Sequence, residues 1–116
     1  MTRAVLYRTK AGRYFGYQIT DHAGYDEEGH DIVCAAVSFL ATTICNALEA
    51  VTGVEPVNDS DPSVPVLRVF LPARLNNAQE HDAQVLLRAL HQGMIDLHEA
   101  YADNFTFSIH ERRETP

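Results

Sequence analysis

Six apolar residues, Val33, Val37, Leu40, Ile44, Leu48 and Val51, recur at steps of three and four. An α-helix brings such positions onto one stripe, so the spacing predicts a helix over residues 31–51 with one face to bury. Asp31 stands where an N-cap is expected, and Gly53 follows the last periodic residue, where helices commonly stop. A helix with a single apolar stripe needs a layer to lie on.

The flanking segments supply that layer. "AVLYRTKAGRYFGYQIT", residues 4–20, reads as a hairpin turning at Lys10, Ala11 and Gly12. In its second arm Phe15, Tyr17 and Ile19 alternate with Tyr14, Gly16 and Gln18, which predicts one buried face. "VEPVNDSDPSVP" is a turn-rich connector, and "VLRVFL" between Pro65 and Pro72 is a short strand. A second helix is expected over residues 77–102, with Leu86, Leu90, Leu97 and Tyr101 on its buried stripe. "FTFSIHE" closes the chain as a strand with Phe105, Phe107 and Ile109 on one face. The predicted order is β-β-α-β-α-β in one domain spanning residues 1–116. Its class is α+β, two helices packed on a mostly antiparallel sheet.

The formal net charge is −7. A nucleic-acid binder displaces phosphate counterions with Lys and Arg, so this balance argues against direct nucleic-acid binding and favours a basic partner. The first ten residues, "MTRAVLYRTK", hold no apolar signal core, and the densest apolar run, residues 32–41, is about half of a bilayer span. A cytosolic protein with no membrane partner is expected. There the two cysteines are expected as thiols.

"DHAGYDEEGHDIVCAAVS", residues 21–38, carries the chemistry. With Asp31 as the cap, Cys34 falls in the first turn of the helix. There unpaired backbone N–H groups and the helix dipole favour a thiolate, and the same donors suit an oxyanion. Close packing beside Ala35 and Ala36 accounts for a Cys here equally well. His22 ends the second strand and could take the thiol proton, as could His30 from a more constrained position. Asp21 or Asp31 could orient the imidazole, although capping alone explains Asp31.

No metal or other cofactor is expected. His22, His30, Asp31 and Cys34 lack CxxC or HExxH spacing. His91 and His98 are two turns apart, roughly 10 Å, and are expected to be solvated. Cys45 is eleven residues beyond Cys34, roughly 16 Å along the helix, too far for a disulfide and better suited to packing.

The run Asp31-Ile32-Val33-Cys34-Ala35-Ala36-Val37-Ser38, preceded by a short loop and His22, resembles the signature of the ribosomal-processing cysteine proteases, small bacterial enzymes. The element order is similar to that family's fold. The resemblance implies that Cys34 is the nucleophile and His22 the general base. Asp31, Ser38 and Asp21 become candidate supporting residues, and Gly24, Tyr25, Asp26, Glu27, Glu28 and Gly29 a candidate substrate loop. It implies a homodimer that removes the N-terminal extension of a basic large-subunit ribosomal protein, cutting after two phenylalanines. The family commonly has Gly where this chain has Asp21. Asp tolerates positive φ better than most residues, and its charge beside His22 would favour an imidazolium.

Two other classes compete with an endopeptidase. One is a non-catalytic, ribosome-associated module that grips a basic protein tail; it would need neither Cys34 nor His22. The other is a redox-sensing thiol protein, which lacks a resolving Cys within reach of Cys34.

Overall fold

The computed structural model describes residues 1–21, 30–60 and 66–114. Strands β1 (Thr2–Arg8) and β2 (Tyr14–Asp21) lead into helix α1 (His30–Thr52). Strands β3 (Val57–Asn58) and β4 (Val66–Phe70), helix α2 (Asn77–Ala100) and strand β5 (Phe105–Glu111) follow. The class is as expected, with one addition: the connector contributes the two-residue edge strand β3. The sheet order is β3-β4-β2-β1-β5. All neighbours are antiparallel except β1 and β5, which run parallel. The two helices cover one face.

The hairpin turns where predicted. Gly12 adopts φ 91° and its N–H donates to the Thr9 carbonyl at 2.9 Å. The predicted alternation in β2 fails at its first two residues: Tyr14, expected on the other face, joins the core, and Phe15 leaves it. Tyr7 pairs with Gly16 but Arg8 pairs with Tyr14, so Phe15 is the extra residue of a β-bulge. Tyr17 and Ile19 point into the helix-covered core, whereas Phe15 lies at the opposite face, its ring centroid 5.9 Å from that of Tyr7. An insertion of one residue inverts the side to which a strand residue points.

On α1, Val33, Val37, Ile44 and Leu48 are buried as the stripe requires, Leu40 is half-buried, and Ala41 joins them. Val51 is 54% exposed, because the last turn runs past the sheet. Gly53, at φ 75°, donates to the Glu49 carbonyl and ends the helix. Residues Ile32–Thr52 are by length and composition sufficient to cross a bilayer, more than the densest run alone suggested. Here the apolar side of that helix is core.

The α2 stripe is offset from the predicted one. Ala83, Leu87, Leu90 and Met94 are buried, while Leu86 and Leu97 flank the core and Tyr101, beyond the helix, is 40% exposed. The predicted residues step by 4, 7 and 4 and the buried ones by 4, 3 and 4; the two stripes share Leu90 and lie roughly 40° apart around the helix. Asn76 caps α2: its side chain accepts from Gln79 N–H at 2.8 Å and Gln79 accepts in return from Asn76 N–H at 3.0 Å.

Candidate active site

The site is assembled at the junction of β2 and α1. Asp21 is the last residue of β2 and pairs with Thr2 of β1. His22 follows it directly. His22 and the candidate substrate loop Gly24, Tyr25, Asp26, Glu27, Glu28 and Gly29 lie outside the described residues. Backbone continuity fixes the ends of that segment at β2 and at the first turn of α1, the turn that leads to Cys34.

Helix α1 begins at His30, so Asp31 is its second residue and not its N-cap. The correction has a physical cause: acids are favoured throughout a first turn by the dipole, so an acidic residue alone does not locate the cap. Cys34 is therefore the fifth helical residue. The amide of a fifth residue bonds back to the first carbonyl, which leaves the unpaired donors on the residues before it. The dipole assists a thiolate less here than in the first turn, and more of the activation falls to a neighbouring base.

Cys34 is half-buried between the fully buried Val33 and the exposed Ala35. The thiol is at the margin of the core, reachable from outside. Ser38, one turn on, is exposed on the same side of the helix. Cys45 is also half-buried, but packs against the core, and its thiol is pushed up by burial and further by Glu49 and Glu55. Neither cysteine is in a disulfide. The two thiols thus differ as the sequence suggests: one sits near a helix start and a histidine-bearing segment, the other in an environment that holds the proton.

A residue read only as part of a strand face fixes the helix. Tyr17, fully buried in β2, donates its hydroxyl to the Ala41 carbonyl at 2.7 Å. Burial pushes the phenol far above its ordinary range, so it stays a donor. This bond locks α1 to the sheet two turns after Cys34. Alternating hydrophobicity cannot reveal it, because the acceptor is a mid-helix carbonyl. Gly93 does comparable work between the helices: a Cβ there would meet Leu40 Cδ2 at 2.7 Å.

His91 and His98, expected in solvent, flank Phe107: His98 is exposed as expected, whereas His91 is half-buried. His91 Nδ1 lies 2.7 Å from the Tyr14 hydroxyl, and both rings meet Phe107 edge-on. His98 Nδ1 bonds the Phe105 carbonyl at 3.0 Å. They close the α2–β5 seam rather than hold an ion. Among the described residues no three His, Cys, Asp or Glu side chains converge as metal ligands.

The sequence model of the family described as "Cysteine protease Prp" matches residues 1–106. The ribosomal processing cysteine protease Prp of Bacillus subtilis (strain 168) is 26% identical over 104 residues, covering 90% of this chain and 93% of that protein. The crystal structure of SMU.848 from Streptococcus mutans superposes with a TM-score of 0.81 at 31% identity, over 97% of this chain and 96% of that one. An essential ribosomal processing protease Prp from S. aureus, in complex with a substrate peptide, gives a TM-score of 0.81 at 22% identity, over 95% of this chain and all of that one. With the family's sequence model matching from β1 into β5, the chain belongs to the Prp cysteine protease family.

Proposed function

We propose that this protein is a cytoplasmic endopeptidase that removes the N-terminal extension of a basic large-subunit ribosomal protein, acting as a homodimer. Cys34 is the nucleophile. His22, which follows the last residue of β2 in the sequence, takes the thiol proton and later gives it to the leaving amine. The thiolate attacks the scissile carbonyl, the carbon–nitrogen bond breaks to leave a thioester, and water releases the new carboxylate. Asp21 raises the basicity of His22, Asp31 adds charge in the first helical turn, and Ser38 is a polar neighbour on the Cys34 side of α1. The acidic groups from Asp21 to Asp31 steer the basic substrate.

The observation that carries this reading is the placement of Cys34 at the start of a core helix within a chain of the Prp family. The test is incubation with a ribosomal protein bearing such an extension, followed by mass spectrometry. Loss of the extension is expected for the parent protein. It should be absent for both Cys34→Ala and His22→Ala, with circular dichroism unchanged. Cleavage by Cys34→Ala would overturn the mechanism.

A further inference from the structure

The helices cover one face of the sheet; among the described residues no helix packs on the other, where Tyr7 and Phe15 are nevertheless buried. The strand registers define what stands on it. Across its middle run Arg68, Gln18, Val5 and Ser108. Beside them run Phe70, Gly16, Tyr7 and His110 on one side, and Val66, Thr20, Arg3 and Thr106 on the other. No Asp or Glu stands in these three rows, in a chain that has 16 of them. The acids of this face, Asp59 and Glu114, stand at its edge, in the lining of a groove.

Its cations are presented in a particular way. The Arg112 guanidinium lies 4.2 Å from the Tyr7 ring centroid and 5.8 Å from that of Phe15, and the Arg68 guanidinium lies 5.8 Å from that of Phe70. A guanidinium over a ring keeps N–H donors for an anion. Among the described residues Arg68 has a long pair, 3.6 Å, to the exposed Asp59, and its buried Nε has no hydrogen-bond partner. Glu114 at the rim is held by Arg13. The nearby acids are thus engaged or loosely held, while the cations retain unused donors. Between them is a groove of about 580 Å³ with Phe15, Phe70, Arg68 and Arg112 in its lining. Gly16 leaves room for the Phe70 ring at its floor. The groove is at the start of β2, the opposite end of that strand from Asp21 and His22.

We propose that this helix-free face binds single-stranded RNA. Arg3, Arg68 and Arg112 meet phosphates; the Arg112 plane, the half-buried Phe70 and the exposed His110 give bases something to stack on. Arg3 and Arg68 are two strands and two residues apart, about 12 Å, so they reach separate phosphates. Thr20, Thr106 and Ser108 place hydroxyls where a 2′-hydroxyl would lie. A flat sheet with stacked planes and basic flanks is the chemistry that single strands require, and an acidic peptide has no use for the planes. The proposal is independent of the peptidase reading.

The test is fluorescence anisotropy of a fluorescein-labelled ten-residue oligouridine with the full chain, from 50 to 200 mM NaCl. Saturable binding is expected, with a log–log salt slope of about 2 in magnitude, as three phosphate contacts on a single strand give. Arg68→Ala and Arg112→Ala should each weaken it about five-fold or more and lower the slope by about 1. Ser108→Glu, at an exposed position in the middle row, should weaken it similarly without touching the core, and so remains informative if Arg112→Ala unfolds. Deca-glutamate should not compete. Peptide cleavage should be unchanged in all three variants. Absence of binding at 50 mM NaCl would overturn the proposal. So would binding equal to the parent's by folded Ser108→Glu and Arg68→Ala, or competition by deca-glutamate as strong as by unlabelled oligouridine, which would make the face a docking site for acidic proteins.

Discussion

Replacing Gly16 and Gly93 by Ala should have different consequences, although both glycines sit in regular structure and neither has positive φ. In each case the added methyl lowers the entropy of the unfolded chain, a gain of about 0.4–1 kcal/mol. At Gly93 the helix interior also prefers Ala by about 0.8–1 kcal/mol. The obstacle there is Leu40 Cδ2 at 2.7 Å, the end of a flexible, half-buried side chain that can turn aside. The net effect of Gly93→Ala is expected within about 0.5 kcal/mol of zero, the propensity gain offsetting the repacking. At Gly16 the methyl would meet the Phe70 ring and also the Val69 carbonyl oxygen at 2.8 Å. That carbonyl belongs to the β2–β4 ladder, where Gly16 pairs with Phe70, and cannot retreat without opening the pairing. Overpacking of this kind costs about 1–3 kcal/mol, so after the entropic gain Gly16→Ala should lose about 1–2 kcal/mol. Urea titration followed by circular dichroism measures both. With a slope of about 1–1.5 kcal/mol per molar, the Gly16→Ala midpoint falls by roughly 1 M and the Gly93→Ala midpoint stays nearly in place. A Gly16→Ala protein as stable as the parent would refute the claim that β4 and Phe70 require the bare backbone.

Cys34 should be alkylated by iodoacetamide faster than Cys45 at pH 7.5, because burial holds the Cys45 proton; equal rates by peptide mass spectrometry would remove the basis for ranking the thiols. Tyr17→Phe should cost about 1 kcal/mol, the net worth of one buried hydrogen bond, since the Ala41 carbonyl keeps its helical partner; a midpoint unchanged in urea would show that the hydroxyl contributes nothing. His91 is held below its ordinary pKa, first by burial and then by Arg8. Below about pH 6.5 the unfolded chain therefore takes up a proton that the folded chain refuses, and stability falls with acidification; the pH dependence of the urea midpoint between 7 and 5 should flatten in His91→Leu. Cleavage of a substrate with a basic flank should lose kcat/KM from 0.1 to 1 M salt, as the Debye length falls from about 10 to about 3 Å, while kcat holds; equal salt profiles for basic and alanine-substituted peptides would dismiss steering by the acidic segment.

What the sequence made legible follows from which forces are local. Helix α1, the Gly12 turn and the end at Gly53 are written in spacing and in φ preferences, and all three stand. The Phe15 bulge was illegible because alternation assumes an unbroken register, and the extra residue is specified by what lies across the sheet. The α2 stripe was offset by a fraction of a turn because Leu86 and Leu87 are equally apolar and Leu90 fits either setting. Cys34 and the octet around it could be read directly. The Tyr17 bond, the seating of His91 and His98, and the helix-free face all depend on partners brought from across the sheet or the opposite helix.

The parallel pairing of β1 with β5 has a consequence for how the chain is made. Residues 2–8 find that partner only at residues 105–111, about a hundred positions later. During synthesis the hairpin, α1 and α2 can form in order as they emerge, but one edge of β1 must wait for the last strand. Closing so long a loop is slow relative to local pairing, so the sheet is completed only after β5 has been made. Until then a seven-residue strand carrying Ala4 and Leu6 has an open edge, the kind of edge that recruits other chains. Premature termination before Phe105 would leave that state permanent, and the truncated product should be found in aggregates rather than in solution.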